Sequence, residues 1–146
     1  MKILIGVDDS PHSKAAVDFV RRMVWPKNTK VVVVSVVQTV VPMYTELYVP
    51  ASVPLDVQEE LVRAHQGIVS SAESSLQGGG LGIEAKVLHG DPRVALVEAA
   101  RNEHADLMVV GSHGRSGIAK LFMGSVANHV VTHAPCSVLV VKLENR

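Results

Sequence analysis

The residues Val31 to Val37 are all valine except for Ser35, and this run constrains the fold more than any other segment. β-Branched residues favour strands, and a strand with no alternation of apolar and polar side chains is buried on both faces. Such strands occur mainly in parallel sheets that helices cover on both sides. The run therefore predicts an α/β fold.

Short apolar runs alternate with helical patterns along the rest of the chain. Four more strands are predicted, at Lys2–Val7, Ile83–Leu88, Leu107–Val110 and Val138–Leu143. Helices are predicted after Ser10-Pro11, over Leu55–Leu76, after Gly90-Asp91-Pro92 and through Val130-Val131. Strands separated by helices, without hairpin signals, predict a doubly wound five-stranded parallel sheet with helices on both faces. Ligands of such folds bind where the carboxyl ends of the strands meet.

Length and charge indicate a single domain and argue against some classes of binding protein. The 146 residues correspond to a single domain, residues 1–146. Fourteen basic and fourteen acidic side chains give a formal net charge of zero, which argues against a general nucleic-acid or membrane-surface binder. Hydrophobic residues make up 47%, and the mean hydropathy is +0.25. This apolar composition indicates that part of the surface is buried against another copy.

Nothing in the sequence indicates export or membrane insertion. Cys136 is the only cysteine, so an intrachain disulfide is impossible. The apolar stretch Ile3–Val7 is too short for a signal peptide, and Val31–Val41 falls short of the roughly 20 residues of a membrane helix. A cytoplasmic protein is expected.

The glycine-bearing segment after the fourth predicted strand carries the strongest functional signal. It runs from Gly111 to Gly117, and Gly124-Ser125 follows where the next helix is predicted to begin. Glycines permit positive φ and close approach of backbone amides, and a helix N-terminus favours an anion. The segment therefore predicts a phosphate cradle, although turn-forming glycines and a helix-capping Ser125 explain the same residues. A Walker loop is absent, because Gly124 is followed directly by serine, and a dinucleotide fingerprint is absent as well.

The spacing Gly-x2-Gly-x9-Gly-Ser, formed by Gly111, Gly114, Gly124 and Ser125, resembles the nucleotide signature of the ATP-binding branch of the universal stress protein family. The likeness extends to Ile5–Ser10, which resembles that family's first strand and its Val-Asp-x-Ser ending, and to Gly90-Asp91-Pro92. Two further segments, Ala105–Ser112 and Ala134–Val141, resemble its last two strands.

The resemblance implies strand order 3-2-1-4-5, an adenine-nucleotide alpha-hydrolase-like fold, and ATP binding without an established chemical conversion. Gly6, Val7 and Asp8 would then approach the adenosine, and Val36 the adenine. Gly111, His113 and Gly114 would border the ribose and phosphates, and the phosphates would be held by Gly124, Ser125, Val126 and Ala127. The implied ligand is ATP, with ADP or AMP as alternatives, and Mg²⁺ is expected on the phosphates.

Several polar residues have two interpretations. Asp8 is interpreted as a ligand contact, because Asp9 or Ser10 suffices to cap the first helix. Arg115 and Lys120 either neutralise phosphate or are solvated, and Arg115 is favoured because its guanidinium matches phosphate geometry. His113 touches phosphate or a metal, or faces solvent.

Other candidates are weaker. His129 and His133 share a helix face, but a metal site is not expected without a third ligand. Cys136 is interpreted as an inert small hydrophobe. The segment from Gln38 to Val53 is expected to be a long functional loop, in which Tyr44 and Tyr48 close over a ligand, meet a partner or remain solvated.

Three functions remain open at this point. The preferred one is an ATP-binding stress-response module that signals through nucleotide occupancy and forms a homodimer through the last strand, Ser137–Leu143. The second is a slow ATP-hydrolysing enzyme, for which a poised base and a Walker lysine are missing. The third is a scaffold or partner-binding dimer whose loop binds only simple anions.

Overall fold

A computed structural model describes residues 1–38, 54–115 and 122–143. Its strands are β1 (Lys2–Gly6), β2 (Lys30–Val37), β3 (Gly82–His89), β4 (Leu107–Gly111) and β5 (Ser137–Val141). Its helices are α1 (Pro11–Arg22), α2 (Leu55–Leu76), α3 (Pro92–Asn102) and α4 (Ser125–His133). The predicted loop from Gln38 to Val53 lies outside the described residues except for Gln38.

The strands form one parallel sheet in the order β3-β2-β1-β4-β5, which confirms the predicted fold. The last strand ends at Val141, two residues before the predicted end at Leu143. Val141 pairs with Gly111, the last residue of β4, so a longer β5 would have no neighbour to bond. The first strand likewise ends at Gly6, although the Val7 amide still donates to the Val34 carbonyl at 2.8 Å.

The two faces of the sheet bury separate hydrophobic clusters. On one face, Ile3, Ile5, Val31 and Val33 pack against residues of α1 and α2. On the other face, Leu4, Val32, Val34, Val36 and Met108 pack against α3 and α4. The valine run therefore faces helices on both sides, which explains why it lacks polar alternation.

Three helices, α1, α3 and α4, begin at the carboxyl edge of the sheet. Ser10 caps α1 by accepting from the Ser13 amide, and Asp91 caps α3 by accepting from the Arg93 amide. Helix α4 starts at Ser125, and its cap residue is Gly124, so no side chain caps this helix. Because parallel strands end at the same edge, these N-termini surround one space.

The amino edge of the sheet is closed by ion pairs. Glu103 accepts from the ammonium groups of Lys2, at 3.0 Å, and Lys86, at 2.5 Å. Asp106 accepts from the Lys2 amide at 2.6 Å. Within the described residues, no helix combines the length and apolarity needed to cross a membrane.

Candidate nucleotide-binding site

A cavity of about 780 Å³ lies at the carboxyl ends of β1, β2 and β4. All twelve residues predicted as nucleotide-binding line it: Gly6, Val7, Asp8, Val36, Gly111, His113, Gly114, Arg115, Gly124, Ser125, Val126 and Ala127. The topology thus brings together residues that are more than a hundred positions apart in the sequence. A second cavity, of about 650 Å³, lies between α1 and α2 and shares Val7, Asp8 and Ser13 with the first.

The N-terminus of α4 presents backbone amides at this cavity. The first hydrogen bond of the helix runs from the Asn128 amide to the Gly124 carbonyl at 2.9 Å, so the amides of Ser125, Val126 and Ala127 have no intrahelical acceptor. The Gly124 amide donates instead to the Ser112 carbonyl at 2.8 Å. Three amides and the positive end of the helix dipole therefore suit a phosphate group, while Gly124 fastens the helix to the loop after β4.

The motif glycines Gly111, Gly114 and Gly124 do not adopt the positive φ that glycine permits, and their backbones lie close to other parts of the chain. Among the described glycines only Gly78, Gly80 and Gly90 have positive φ. A Cβ at Gly111 would lie 2.7 Å from the carbonyl carbon of His12, so the first turn of α1 crosses β4 there.

The other two motif glycines are crowded in the same way. At Gly124, a Cβ would lie 3.1 Å from the Cα of His113 and 3.2 Å from the carbonyl oxygen of Ser112. At Gly114, it would lie 3.0 Å from Oδ2 of Asp8. A Cβ at either position would therefore require its neighbours to move by a few tenths of an ångström, whereas at Gly111 the backbone of α1 would have to shift.

The polar residues of the loop after β1 have separate hydrogen-bonding roles, and Ser10 is the one that caps α1. Ser10 supplies the cap of α1 through its hydroxyl, which accepts from the Ser13 amide at 3.1 Å. Asp8 does not cap the helix: its Oδ1 accepts from the Ser10 amide at 2.9 Å, and its own amide donates to the Ser13 hydroxyl at 3.0 Å. These bonds fix the carboxylate of Asp8 on the cavity wall, with Oδ2 beside Gly114.

Arg115 is engaged by an acidic partner. Its Nε donates to Oδ1 of Asp9, and both side chains are exposed. The pair joins the loop after β1 to the loop after β4; Arg115 lines this cavity, and Asp9 lines the second one. An exposed pair contributes little to stability, so an anion in the cavity can compete with Asp9 for the guanidinium.

His113 is held by hydrogen bonds to neighbouring residues and is partly exposed. Its Nε2 bonds to the carbonyl of Phe122, which can only accept, so Nε2 carries a proton. Its Nδ1 lies 3.0 Å from the Ser112 hydroxyl, and that hydroxyl lies 3.2 Å from Nδ1 of His12. The chain of bonds fastens the loop after β4 to α1 and to the residues just before α4.

Sequence reasoning missed residues on the far side of the cavity. His65 of α2 also lines it, as do Asp91, Pro92 and Arg93 at the start of α3. The guanidinium of Arg93, hydrogen-bonded to Asp91, holds the pKa of that carboxyl below its usual value. Burial of His65 lowers the pKa of its imidazole, and Arg115 acts in the same direction. The signals available in the sequence were a histidine at an apolar position of the α2 pattern and, separately, the single hydroxyl in the valine run, Ser35.

The weaker candidates, His129, His133 and Cys136, show no sign of a metal or catalytic site in the part of the chain that the structure describes. The rings of His129 and His133 stack 4.0 Å apart, and His133 Nδ1 lies within hydrogen-bond distance of the Thr132 hydroxyl and the His129 carbonyl. No group of three potential metal ligands occurs in the described ranges. Burial raises the pKa of the Cys136 thiol, as an inert cysteine requires. Lys120, Tyr44 and Tyr48 lie outside the described residues.

Comparisons with known proteins identify the family to which this sequence is similar. The model of the universal stress protein family matches residues 1–142. A universal stress protein from Thermus aquaticus is 31% identical over 141 residues, which cover 96% of this chain and 97% of that protein.

Solved structures share the fold. The structure of the hypothetical protein MJ0577 superposes with a TM-score of 0.84 at 23% identity and covers 99% of this chain and 97% of its own. A universal stress protein in complex with cAMP superposes with a TM-score of 0.68 at 26% identity and covers 97% and 96% of the two chains. Together with the family match over nearly the whole length, these likenesses show that the chain belongs to the universal stress protein family.

Proposed function

We propose that this protein is a single-domain, cytoplasmic stress-response regulator that binds ATP in the cavity at the carboxyl ends of the strands. The observation that carries the proposal is that the first amides of α4 open onto the same cavity as Asp8 and Val36. An anion-binding end and an apolar wall in one cavity suit a ligand with phosphates at one end and a base at the other. The cAMP bound by a family member of the same fold supports an adenine nucleotide.

The proposed orientation follows from the fold. Helix α4 packs on the sheet face that carries Val36 and lies next to β5, so phosphates at Gly124–Ala127 occupy the β4–β5 side of the cavity. The nucleoside half then extends toward β1 and β2, where Gly6, Val7, Asp8 and Val36 lie. Gly111, His113, Gly114 and Arg115 border the ribose and phosphates between these ends.

The nucleotide is proposed to signal through occupancy. Phosphate oxygens beside Arg115 in the cavity would compete with Asp9 for its guanidinium, which would release the link between the loops after β1 and β4. Occupancy would thereby change the surface around these two loops, and a partner protein that binds this surface would distinguish the nucleotide-bound form from the free form.

Bound ATP is proposed to stay mostly intact. We propose that the backbone amides bind the ground-state and transition-state phosphates equally, and equal binding of the two gives no acceleration. Mg²⁺ would be carried by the phosphates, because no three-ligand cluster exists in the described part of the chain. The alternative, a slow ATPase, is tested by single-turnover conversion of labelled ATP with protein in excess and magnesium present. Rapid formation of ADP that is lost in His113→Ala would establish hydrolysis.

The proposed ligand is tested by mass spectrometry of small molecules released from protein purified without added nucleotide, followed by calorimetric titration with ATP, ADP and AMP, each with and without magnesium. The expected result is saturable binding of at least one adenine nucleotide. Binding of sulfate and phosphate with no preference for nucleotides would contradict it and favour the anion-binding scaffold.

A homodimer through Ser137–Leu143 is also proposed. Within this range β5 lies at the edge of the sheet with Val138, Leu139 and Val140 partly exposed, and exposed apolar edges associate unless they are covered. Light scattering at micromolar concentration should give twice the monomer mass, and Val140→Lys should shift it toward the monomer. A monomer mass for the wild type would contradict the proposal.

A further inference from the structure

His65 is a buried titratable side chain that the proposed phosphate cradle does not use. It belongs to α2 and is only 6% exposed, yet it lines the cavity at the carboxyl ends of the strands. Its Nδ1 lies 2.7 Å from the hydroxyl oxygen of Ser35, a residue that is fully buried within β2.

The hydrogen bonds of Ser35 determine the tautomer of His65. The Ser35 hydroxyl donates its single proton to the Val7 carbonyl at 2.8 Å. Its oxygen can therefore only accept from His65, so Nδ1 carries the proton and Nε2 of the neutral ring carries a lone pair.

The lone pair on Nε2 is open to the cavity. Nε2 has no hydrogen-bond partner among the described residues. No side-chain nitrogen or oxygen that is fully buried in the described part of the chain lacks a partner, so Nε2 retains accessible surface. The cavity is the space that this ring borders.

We infer that His65 is a specificity-determining residue whose Nε2 accepts a hydrogen bond from the nucleoside half of the bound nucleotide, an inference that rests on the proposed function. The nucleoside half is the part that reaches the β1–β2 side of the cavity, where His65 and Ser35 lie. Adenosine offers two kinds of donor there, the amino group of the base and the hydroxyls of the ribose. A fixed acceptor favours these groups and disfavours a base that presents a carbonyl oxygen at the same place.

The same geometry makes binding pH-dependent. The groups that act electrostatically on His65 are Asp8 and Asp9 after β1, His89 at the end of β3 and Arg115 after β4. Burial, Arg115 and His89 lower the pKa of His65, while the two aspartates raise it, and the net direction is downward from 6.5. The ring is therefore neutral at pH 7, and affinity falls as the pH drops through this lowered pKa, because a protonated Nε2 donates and no longer accepts.

Two matched variants separate the acceptor from the structural bond. In His65→Asn the side-chain amide can still donate to Ser35, but the acceptor at the Nε2 position is lost. In His65→Gln the side-chain oxygen can reach the Nε2 position, and it does not titrate. ATP affinity is measured by calorimetry from pH 5.5 to 8, and folding is checked by thermal denaturation.

The expected result is an ATP affinity about threefold to tenfold lower in His65→Asn and close to wild type in His65→Gln. The ATP affinity of the wild type should fall as the pH drops through the pKa of His65. The affinity of His65→Gln should lack this fall, because glutamine does not titrate. Equal affinity of wild type and His65→Asn would overturn the inference and leave ATP binding intact. Absence of ATP binding in the wild type would overturn the proposed function and this inference together.

Nucleotide analogues test the inference on the wild-type protein even where a variant does not fold. Purine riboside triphosphate lacks the base amino group, and 2′-deoxyATP and 3′-deoxyATP each lack one hydroxyl. At least one of the three should bind about threefold to tenfold more weakly than ATP. In a folded His65→Asn protein, the analogue that lacks the donor to His65 should bind as tightly as ATP does. If all three bind the wild type as tightly as ATP, His65 accepts no such bond.

Discussion

The two ends of the sheet use their charged and polar groups in opposite ways. At the amino end, Glu103 pairs with the ammonium groups of both Lys2 and Lys86. At the carboxyl end, the first amides of α4, Oδ2 of Asp8 and Nε2 of His65 face a cavity of about 780 Å³. The comparison teaches that the ion pairs at the amino end satisfy one another, whereas the carboxyl end combines internal pairs such as Arg115–Asp9 with polar groups that a ligand can complete.

The largest effect should come from placing a side chain in the proposed phosphate cradle. Gly124→Val puts a branched side chain against the Cα of His113 and the carbonyl of Ser112, which displaces the loop from the amides of α4. ATP affinity should fall at least about a hundredfold, which is roughly 3 kcal/mol, while the fold is retained.

Calorimetry and circular dichroism measure these two properties. Ser125→Ala is the matched control, because it removes a hydroxyl and keeps the amides, so its affinity should fall by only a few-fold. A folded Gly124→Val protein with wild-type affinity would place the phosphates elsewhere.

A second glycine should affect the fold itself. Gly111→Ala places a Cβ 2.7 Å from the carbonyl carbon of His12, and the backbone of α1 must move. The free energy of unfolding should fall by about 2 kcal/mol, as for overpacked cores.

Gly67→Ala in the middle of α2 is its control, since a Cβ there meets nothing within 4 Å. That variant should gain about 0.5 to 1 kcal/mol, because alanine is the better helix former. Urea denaturation measures both variants, and equal stability for the two would contradict the packing explanation of Gly111.

The third effect concerns the carboxylate beside the cradle. Asp8→Ala should weaken ATP and free adenosine alike, by about tenfold each, because Asp8 is assigned to the sugar and base end. Titrations with the two ligands measure this. Loss of ATP affinity with adenosine affinity unchanged would assign Asp8 to the phosphates.

The smallest effect should come from the amino end and leave binding untouched. Glu103→Gln removes the charge that pairs with Lys86 and Lys2, and the free energy of unfolding at pH 7 should fall by about 1 kcal/mol. ATP affinity should not change.

The hydrogen bond from Lys86, and then that from Lys2, lowers the pKa of Glu103 from 4.5. The stabilisation is therefore fully present above 4.5 and is lost as the pH falls through the lower folded-state value. Urea denaturation between pH 3 and 7 measures it. A change in ATP affinity in Glu103→Gln would show that the two ends are coupled.

Sequence patterns predicted the strands, the helices and a parallel sheet, and the family resemblance implied the strand order and about half of the residues that line the cavity. The valine run and the capped helix starts at Ser10 and Asp91 depend on local rules, so the strands and helices followed from them. The residues after β1 and β4 were predictable because parallel strands end at one edge. His65 was not predicted, since its pairing with Ser35 depends on how α2 packs on β2, which no local spacing encodes.

The partners of Asp9 and His12 were unpredictable for the same reason. Each contacts a residue about one hundred positions away, across the joint between β1 and β4. The structural role of Gly111 was also unpredictable. The spacing of the motif does not distinguish a glycine that leaves room for a phosphate from one that leaves room for the first turn of α1.

The most direct test of the central claim is a titration of isotopically labelled protein with ATP, followed through its backbone amide resonances. The amides of Ser125, Val126 and Ala127 should shift in a saturable way, together with that of Asp8, while those of Lys86 and Glu103 stay in place. Saturable shifts confined to the amino end, or no shift in the first turn of α4, would contradict ATP binding at the carboxyl ends of the strands.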